Sequence, residues 1–484
     1  MTSMVGVLTM LVAVTMADSA RWAPSFSERD GGLLPSTPDK PYAPDHAFEM
    51  AMPELNTTFR VRAYLNDKLF APGYKETYSD PSGSVRAVPP HQMANAPHRH
   101  CHYVGVVDGE DQHGALAGYL AFSTCGGAIE GRLVTRSHDL VLGPLHPDDP
   151  GLRSRRRRLL EAVPHVATPV SEVRSSAGGK CGVSDEDIHD ALHHDHLHDH
   201  AHDHHRDHDH HDDAHGGQHE RARRELAMQG VSKKYVEALV ASDVSRIASF
   251  QNDLAATASN AVSVMNNVAS MYRTDVWAGN TVIANLEVVV VLIGQHFFTS
   301  TDPWESTVIS TANGATVDNG DVDVSSLLDK FNTWASGSKN AGDIPQNDNH
   351  ILLSGRDFDG NTIGLAGMNA MCSSARSGNV NMGVKTSNVV DVASTVAHEM
   401  GHNFGMGHDG GSDGISDNCD GSSHIMAAIA TGITLDTWST CSATYLGNFM
   451  DAVYGASVGM CLENAPTLVY GDPVCGNGVC APHA

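Results

Sequence analysis

Twelve residues near the C-terminal end of the chain limit what it can fold into. Residues 398–409 read His-Glu-Met-Gly-His-Asn-Phe-Gly-Met-Gly-His-Asp. Side chains four residues apart share one face of an α-helix, so His398 and His402 project side by side. Gly405 can adopt a positive φ, which turns the chain out of the helix and brings His408 back as a third ligand. Three imidazoles with one open position are typical of catalytic zinc, whereas structural zinc has four protein ligands.

Two further residues extend this pattern. Glu399 directly follows the first histidine and can reach a water molecule on the metal. Downstream, residues 424–428 read His-Ile-Met-Ala-Ala and place Met426 where a methionine-bearing turn is expected beneath the metal. Taken alone, Met426 could be an ordinary core methionine, but its position after the motif favours the turn.

The motif, the Asp409 that ends it and the Met426 turn resemble the metzincins, and within them the ADAM/reprolysin metalloproteases. The resemblance implies a zinc-dependent endopeptidase that acts on polypeptide substrates, with Glu399 as its general base. It also implies an α/β catalytic domain with a mixed twisted sheet and a long zinc-binding helix, preceded by a β-rich prodomain.

The bulk properties set further limits. A chain of 484 residues has room for two or three domains, and its net charge of −26 argues against nucleic acid as a partner. Residues 1–20 contain an apolar run followed by small residues, which is typical of a signal peptide and indicates a secreted protein. No later run reaches the about 18 apolar residues of a membrane span, so no membrane anchor is expected in this chain.

Residues 21–224 are expected to form the prodomain. Cys101 and Cys125 bracket alternating apolar residues, which predicts antiparallel strands closed by a disulfide. Two basic runs end at Arg158 and at Arg224. Such runs also occur on solvated faces and in nucleic-acid patches, but in an acidic secretory chain they favour cleavage by a processing protease. The mature chain would then begin after Arg224.

Cys181 lies in a Gly-Gly-Lys-Cys-Gly-Val segment that resembles the cysteine switch of the ADAM proteins. A thiolate is a strong zinc ligand, so Cys181 in the open fourth position would displace water and keep the protease latent. The nine cysteines form an odd set, which is consistent with one free thiol in an oxidising compartment. The alternative is that Cys181 is a disulfide partner.

A low-complexity run follows, in which fourteen histidines between residues 189 and 220 alternate with acidic residues. The run has no apolar periodicity and is expected to be disordered. Its charge would swing from negative towards positive on protonation, which could tune cleavage after Arg224; a plain solvated spacer is the simpler alternative.

Residues 225–464 are expected to form the metalloprotease domain. Hydrophobic patterns predict strands and helices in alternation, which indicates an α/β layer fold. The predicted elements are strands at 234–240, 285–298 and 350–353, and helices at 243–273, 324–335 and 391–404. By resemblance, 362–366 is an exposed edge strand on which a substrate can lie as an added strand.

The family resemblance also implies two disulfides, Cys372–Cys461 and Cys419–Cys441, and a calcium site. The calcium ligands would be Glu237, Asp348, the carbonyl of Cys461, and Asn464, all oxygen donors suited to a hard cation. Without the resemblance these would be four unrelated surface residues. Residues 465–484 resemble the start of a disintegrin domain, and whether the chain is a fragment is left open.

Two other functions compete with the protease. One is a catalytically idle adhesion protein, against which the intact set of His398, Glu399, His402 and His408 argues. The other is a metal-binding protein built on the histidine-rich run. It does not explain the switch segment or the two basic runs.

Overall fold

The structure is a computed structural model of the chain. It describes most of residues 45–466 together with short pieces at either end. The described ranges are 20–22, 24–26, 45–89, 100–111, 114–125, 128–135, 137–144, 165–173, 179–184, 232–272, 286–304, 322–384, 387–430, 434–455, 459–466, 474–475 and 480–481. Several predictions concern residues outside these ranges. They are the signal peptide, the cleavage sites at Arg158 and Arg224, the histidine-rich run and most of the disintegrin-like segment.

Nineteen strands occur in the described residues. They are β1 (Ala20–Trp22), β2 (Pro24–Phe26), β3 (Asp45–Met52), β4 (Thr57–Leu65), β5 (Phe70–Ser79), β6 (Val85–Ala87), β7 (His102–Asp111), β8 (Gly114–Ser123), β9 (Glu130–Thr135), β10 (Asp139–Pro144), β11 (His165–Pro169), β12 (Lys180–Cys181), β13 (Ser232–Ser242), β14 (Leu286–Phe298), β15 (Asn349–Ser354), β16 (Thr362–Ala366), β17 (Gly378–Met382), β18 (Val474–Cys475) and β19 (Cys480–Ala481).

Five α-helices are described, all in the C-terminal half. They are α1 (Val244–Ser249), α2 (Leu254–Met271), α3 (Val324–Ala341), α4 (Val389–Asn403) and α5 (Thr440–Gly455). The single helix expected over 243–273 is wrong in one respect. Gln251 and Asn252 both have φ of 61°, which breaks the helical path between α1 and α2, and Asp253 then caps α2 with its side chain.

The first sheet has nine strands, with the order β1-β11-β10-β9-β8-β7-β4-β3-β2, and all its pairings are antiparallel. Alternation along β4 is strict, because every second side chain from Thr57 to Ala63 is buried. The predicted disulfide Cys101–Cys125 is present at the end of the β7–β8 pair. The prediction of a β-rich N-terminal part is confirmed.

The second sheet has eight strands, with the order β12-β16-β17-β15-β13-β14-β5-β6. Its five central strands come from residues 232–382, and all of their pairings are parallel except that of β16 with β17. Helices α2 and α4 pack with this sheet around one core, to which α4 contributes Val396, Ala397 and Met400. The α/β class with a mixed sheet and a long C-terminal-half helix is therefore confirmed.

The N-terminal half does not form a separate body, because three of its strands complete the second sheet. Strands β5 and β6 extend the sheet beyond β14, and β12 extends it beyond β16. Polar contacts also join the halves: Asn266 on α2 donates to the carbonyls of Tyr103 and Phe122, 3.3 Å from each. The fully buried Arg132 pairs with Asp139 of its own sheet and with Asp436 of the C-terminal half.

Candidate zinc site and cleft

Helix α4 carries the central residues of the site. The Asn388 side chain caps its first turn by accepting from the amide of Val390 at 2.9 Å. The helix ends at Asn403, and Gly405 follows with φ of +78°, so the chain turns away from the helix axis. A Cβ at this position would collide with the Asn369 side chain. Both backbone freedom and close packing therefore require glycine at the turn that returns His408.

The structure brings the three predicted histidines together, and two of them have fixed tautomers. His398 Nδ1 lies 2.6 Å from the Ile425 carbonyl oxygen, and His402 Nδ1 lies 2.8 Å from that of Met406. A carbonyl oxygen only accepts, so each Nδ1 carries the proton and each Nε2 presents a lone pair. The two Nε2 atoms are 3.0 Å apart.

This donor set fits a zinc ion. Burial holds the pKa of His398 at about 3 and that of His402 well below its usual value, so both rings stay neutral. Two neutral nitrogens that point lone pairs at each other across 3.0 Å repel unless a cation lies between them. His408 and Cys181 supply two more donors, and all four donor atoms lie within 4.8 Å of one another. Three imidazole nitrogens and one sulfur match the ligands that zinc prefers.

Cys181 lies over the histidines in the position expected of a switch. Its Sγ is 3.2 Å from His402 Nε2 and also accepts from the amide of Val183 at 3.3 Å. Cys181 is not in a disulfide, so the alternative of a disulfide partner is not what the structure contains.

Glu399 points towards the same cluster. The Cys181 thiol can donate to Glu399 Oε2, 3.8 Å away, and the Glu399 side chain is 1% exposed. Burial raises the pKa of Glu399 to about 8. On the other side, a Cβ on Gly364 would overlap the Glu399 carboxylate, so a glycine in β16 leaves the room that this side chain occupies. A buried carboxyl beside a group of metal-ligating side chains is suited to accepting and returning a proton.

Met426 lies beneath α4, as the motif suggested. A Cβ on Gly401 would stand 2.7 Å from Met426 Sδ, so the helix and the turn approach closely where residue 401 has no side chain. The amide of Asp409 donates to the Met426 carbonyl at 2.9 Å, and the buried Asp409 carboxylate accepts from Ser439 at 2.6 Å. These bonds tie the returning chain, and with it His408, to the turn.

The segment around Cys181 lies in the cleft as an added strand. On one side β12 pairs in parallel with β16, and the Gly182 amide donates to the Gly364 carbonyl at 2.9 Å. On the other side the Cys181 amide donates to the Ala428 carbonyl at 3.2 Å, and the Ala430 amide donates to the Gly179 carbonyl at 2.8 Å. The expectation that β16 is an exposed edge is therefore wrong for this form of the chain, because β12 covers it.

A small cavity remains beside the cluster. It measures about 50 Å³ and is lined by Cys181, Thr395, His398, Ala427 and Leu435, among others. The cavity therefore lies directly beside the space that the Cys181 side chain fills.

The expected calcium residues also come together. The Glu237 amide donates to Asp348 Oδ2 at 2.9 Å, and Asn464 Nδ2 lies 3.1 Å from Glu237 Oε2. The disulfide Cys372–Cys461 is present and lies next to them, because the Cys372 amide donates to the Asp348 carbonyl at 2.9 Å. Burial, together with the nearby Glu237 carboxylate, raises the pKa of Asp348 to about 7. The third expected disulfide, Cys419–Cys441, is also present.

Several contributors to the site were missed by reasoning from the sequence. The carbonyl groups of Ile425 and Met406 orient two histidines, but main-chain atoms leave no mark in a sequence. A network of buried amides below the helix was also missed. Its centre is Asn403, whose Oδ1 accepts from Asn349 at 2.7 Å and from Asn379 at 3.1 Å. The position of Asn403 inside the zinc motif was the available signal.

The site and fold are those of the metzincin-type zinc peptidase domains. This class is defined by three histidines on a helix and its returning chain, a methionine turn beneath them, and a mixed sheet. Comparison with known families agrees, because residues 234–466 match the model described as Reprolysin (M12B) family zinc metalloprotease. The chain therefore contains a domain of the reprolysin type over these residues.

Curated relatives extend the similarity into the N-terminal half. Disintegrin and metalloproteinase domain-containing protein 19 of Mus musculus is 30% identical over 420 residues, which cover 85% of this chain and 37% of that protein. The Homo sapiens protein of the same name is 30% identical over 85% of this chain and 36% of its own length. A disintegrin and metalloproteinase with thrombospondin motifs 10 of Homo sapiens is 27% identical over 76% of this chain and 31% of its own. The chain thus spans about a third of the length of these relatives.

Within the described residues, no helix is both long and apolar enough to cross a membrane.

Proposed function

We propose that the chain is the latent precursor of a zinc-dependent endopeptidase that hydrolyses peptide bonds in extracellular or cell-surface proteins. The observation that carries this proposal is the four-donor cluster, in which Cys181 Sγ lies 3.2 Å from His402 Nε2 and beside the buried Glu399. This geometry supports a catalytic zinc site and its inhibiting ligand in one chain. The family of residues 234–466 supports the same reaction class.

In the proposed reaction, His398 and His402 would hold the zinc ion through Nε2. His408 would hold it through one of its ring nitrogens. The chemistry that bound zinc supplies is a nucleophilic water at neutral pH and a polarised scissile carbonyl. Glu399 takes a proton from the attacking water on a carboxylate oxygen and passes it to the nitrogen of the leaving amine. The carbonyls of Ile425 and Met406 keep two of the imidazoles in the neutral, ligating tautomer.

Substrate binding is proposed to use the place that the Cys181 segment now fills. Residues 179–182 lie between β16 and residues 428–430 and bond to both through main-chain groups. An extended substrate could make the same kind of main-chain bonds, which are independent of sequence. Departure of Cys181 would also open the small cavity beside His398, so a substrate side chain could enter there.

Activation is proposed to require cleavage after Arg224 by a processing protease. The Cys181 segment is held by main-chain bonds on both sides and by the zinc ligand set, so it would not leave readily while it remains part of the same chain. Cleavage makes its departure a dissociation, with a gain in freedom that covalent linkage prevents. The chain would then act as a secreted enzyme or as the enzymatic part of a longer protein.

The proposal is tested on the full chain, cut after Arg224, by measuring bound zinc and the hydrolysis of a mixed peptide library. We expect about one zinc per chain and cleavage that a chelator abolishes and zinc restores. A chain that binds zinc in that ratio yet cleaves nothing would favour the idle adhesion protein. A chain whose zinc is lost only when the histidine-rich run is deleted would favour a metal-binding protein.

We further propose that Glu237, Asp348, the Cys461 carbonyl and Asn464 bind calcium. The close approach of two partly buried carboxylates supports this, because a cation would offset the burial that raises the pKa of Asp348. Calcium should raise the melting temperature of the native chain, and Asp348→Asn should remove most of that increase. An unchanged increase would assign the calcium effect to another part of the chain.

A further inference from the structure

The outer edge of β14 carries a strand of the N-terminal half. Strand β5 pairs with it in parallel, with His296 opposite Thr77 and Phe298 opposite Ser79. Strand β14 is the last strand of the second sheet within residues 234–466, the part that matches the protease family. The edge that β5 covers therefore belongs to the protease domain, while β5 belongs to the proposed propeptide.

A glycine in β14 is matched to this pairing. A Cβ on Gly294 would stand 2.7 Å from the carbonyl oxygen of Lys75, closer than packed atoms approach. The Lys75 oxygen is a main-chain atom of β5 and cannot swing aside as the end of a flexible side chain could. Glycine inside a strand commonly marks such a close backbone approach. The absence of a side chain at residue 294 of the protease domain thus makes room for the backbone of β5.

Polar contacts across the same edge are paired and buried. His296 Nδ1 lies 2.8 Å from Thr77 Oγ1, and its Nε2 lies 3.0 Å from Ser79 Oγ. In a neutral imidazole one nitrogen donates and the other accepts, and hydroxyl groups can complement either role. The His296 side chain is fully buried, so both ring nitrogens depend on these hydroxyls in place of water.

Next to His296, a second set of hydrogen bonds crosses the edge. Gln295 Nε2 donates to the Tyr74 hydroxyl at 2.7 Å, and that hydroxyl donates to Glu76 Oε1 at 3.0 Å. The edge therefore recognises β5 through side chains as well as through main-chain pairing.

The β14 edge and the Cys181 segment lie at opposite edges of the five strands of the protease domain. Strands β16, β17, β15, β13 and β14 separate β12 from β5. Loss of the Cys181 contact therefore leaves every contact of β5 in place. Strand pairing, a fitted glycine and a buried histidine are together an interaction surface with its own chemistry.

We propose that the outer edge of β14 is a second propeptide-binding site of the protease domain, which holds Phe70–Ser79 by parallel strand addition and keeps the cut propeptide bound after Cys181 has left the zinc site. The proposal rests on the proposed zymogen only in taking residues before 225 as the propeptide. Its partner is an extended segment with hydroxyl side chains two residues apart, facing His296.

The test uses the full chain with Cys181→Ser, so that the thiol contributes nothing, and with residues 221–224 replaced by the recognition sequence of a site-specific protease. After complete cutting, size-exclusion chromatography over a dilution series reports the concentration at which the two pieces separate. The cut parent should elute as one complex at micromolar concentration. Thr77→Val combined with Ser79→Ala leaves His296 unpaired and should raise the dissociation constant about 10- to 100-fold.

Gly294→Ala makes the same test from the protease side and decides the outcome if the propeptide variant does not fold. Its methyl group should weaken the complex about 10-fold or more, since overpacking a fitted contact is costly. Lys75→Ala is the matched control, because its side chain is exposed on the same strand and should leave the dissociation constant unchanged.

Two results would overturn the proposal. One is that the cut parent separates into two pieces at every concentration. The other is that the β5 and β14 variants separate at the same concentration as the parent, which would assign retention to other contacts such as Arg132 with Asp436. Because no step measures catalysis, a failure here leaves the proposed protease untouched, and an inactive protease leaves this result standing.

Discussion

Met426 Sδ lies directly beneath Gly401, 2.7 Å from the point where a Cβ on residue 401 would stand. Residue 401 lies between His398 and His402 in height along α4, and the turn that contains Met426 also supplies the carbonyl that orients His398. A single missing methyl group thus lets the helix and the turn form one unit beneath the metal ligands.

Gly401→Ala should therefore destabilise the chain although alanine favours helices. Helix propensity alone would stabilise the variant by about 1 kcal/mol. Forcing a methyl group into a packed core costs about 1–3 kcal/mol, so the net change is a loss of up to about 2 kcal/mol. Urea unfolding measures it, and zinc affinity should fall as well because the turn must shift.

The matched control for that variant is Gly337→Ala. Gly337 lies inside α3, and a Cβ there would meet no atom within 4 Å. This variant should stabilise the chain by up to about 1 kcal/mol. If both variants stabilise the chain equally, Met426 yields freely and the close fit has no energetic consequence.

Glu399→Gln and His402→Ala should separate catalysis from metal binding. The glutamine variant keeps the three histidines, so bound zinc should stay near one per chain while peptide hydrolysis falls at least about 100-fold, as for loss of a general base. The alanine variant removes a ligand and should lose both zinc and activity. Substantial hydrolysis by the glutamine variant would show that Glu399 is not the base.

In the amide network below α4, substitution of the central residue should lower the free energy of unfolding more than substitution of a residue at its end. Asn403 makes four hydrogen bonds, to Asn349, Asn379 and the carbonyls of Gly367 and Gly378. Asn403→Ala leaves buried partners unsatisfied and should lower the free energy of unfolding by about 3 kcal/mol or more.

Asn381 provides the control, because it lies at the end of the same network and donates to Asn379 at 2.8 Å. Asn381→Ala should cost less, and it should leave zinc affinity unchanged because it is not adjacent to a zinc ligand. Equal losses of stability and equal zinc affinities would mean that the network does not position the helix.

Burial of His296 predicts a specific dependence of stability on pH. Burial lowers its pKa to about 3, and the side chains that contact its ring are Thr77, Ser79, Phe298 and Trp334, which are not ionisable. An unfolded histidine has a pKa near 6.5, so between about pH 6.5 and 3 the unfolded chain binds more protons than the folded chain. Stability contributed by neutral His296 is complete above about pH 6.5 and is lost as the pH falls.

His296→Gln removes this titration. The difference in stability between parent and variant, followed by urea unfolding from pH 7.5 down to pH 5, should shrink as the pH falls. A difference that is constant over the range would mean that His296 does not titrate on unfolding in this range.

Local patterns predicted the metal site better than they predicted the sheet. The three histidines and Glu399 follow from helical spacing and one glycine, which act over twelve residues, and the structure places them together. Pairing of Thr77 with His296 joins residues more than two hundred positions apart, and no local pattern specifies it. The apolar pattern of residues 285–298 predicted a strand but not the strand that pairs with it.

The break between α1 and α2 was missed for a different reason. Apolar residues continue at helical spacing on both sides of Phe250, so periodicity alone indicated one helix. Two consecutive residues with positive φ, Gln251 and Asn252, interrupt it, and only the asparagine is a residue type that favours this conformation.

The central claim is that a catalytic zinc site is kept inactive by Cys181. Its most direct test is the peptide-hydrolysis rate of the intact, uncut chain, compared between wild type and Cys181→Ser. Each of the two is also measured with Glu399→Gln added, as a control for hydrolysis by other enzymes in the sample. A hydroxyl is a far poorer zinc ligand than a thiolate. We therefore predict that the wild-type precursor is silent, that the Cys181→Ser precursor hydrolyses peptides, and that Glu399→Gln abolishes this hydrolysis. A Cys181→Ser precursor as silent as wild type, from a chain that becomes active once cut after Arg224, would contradict the claim.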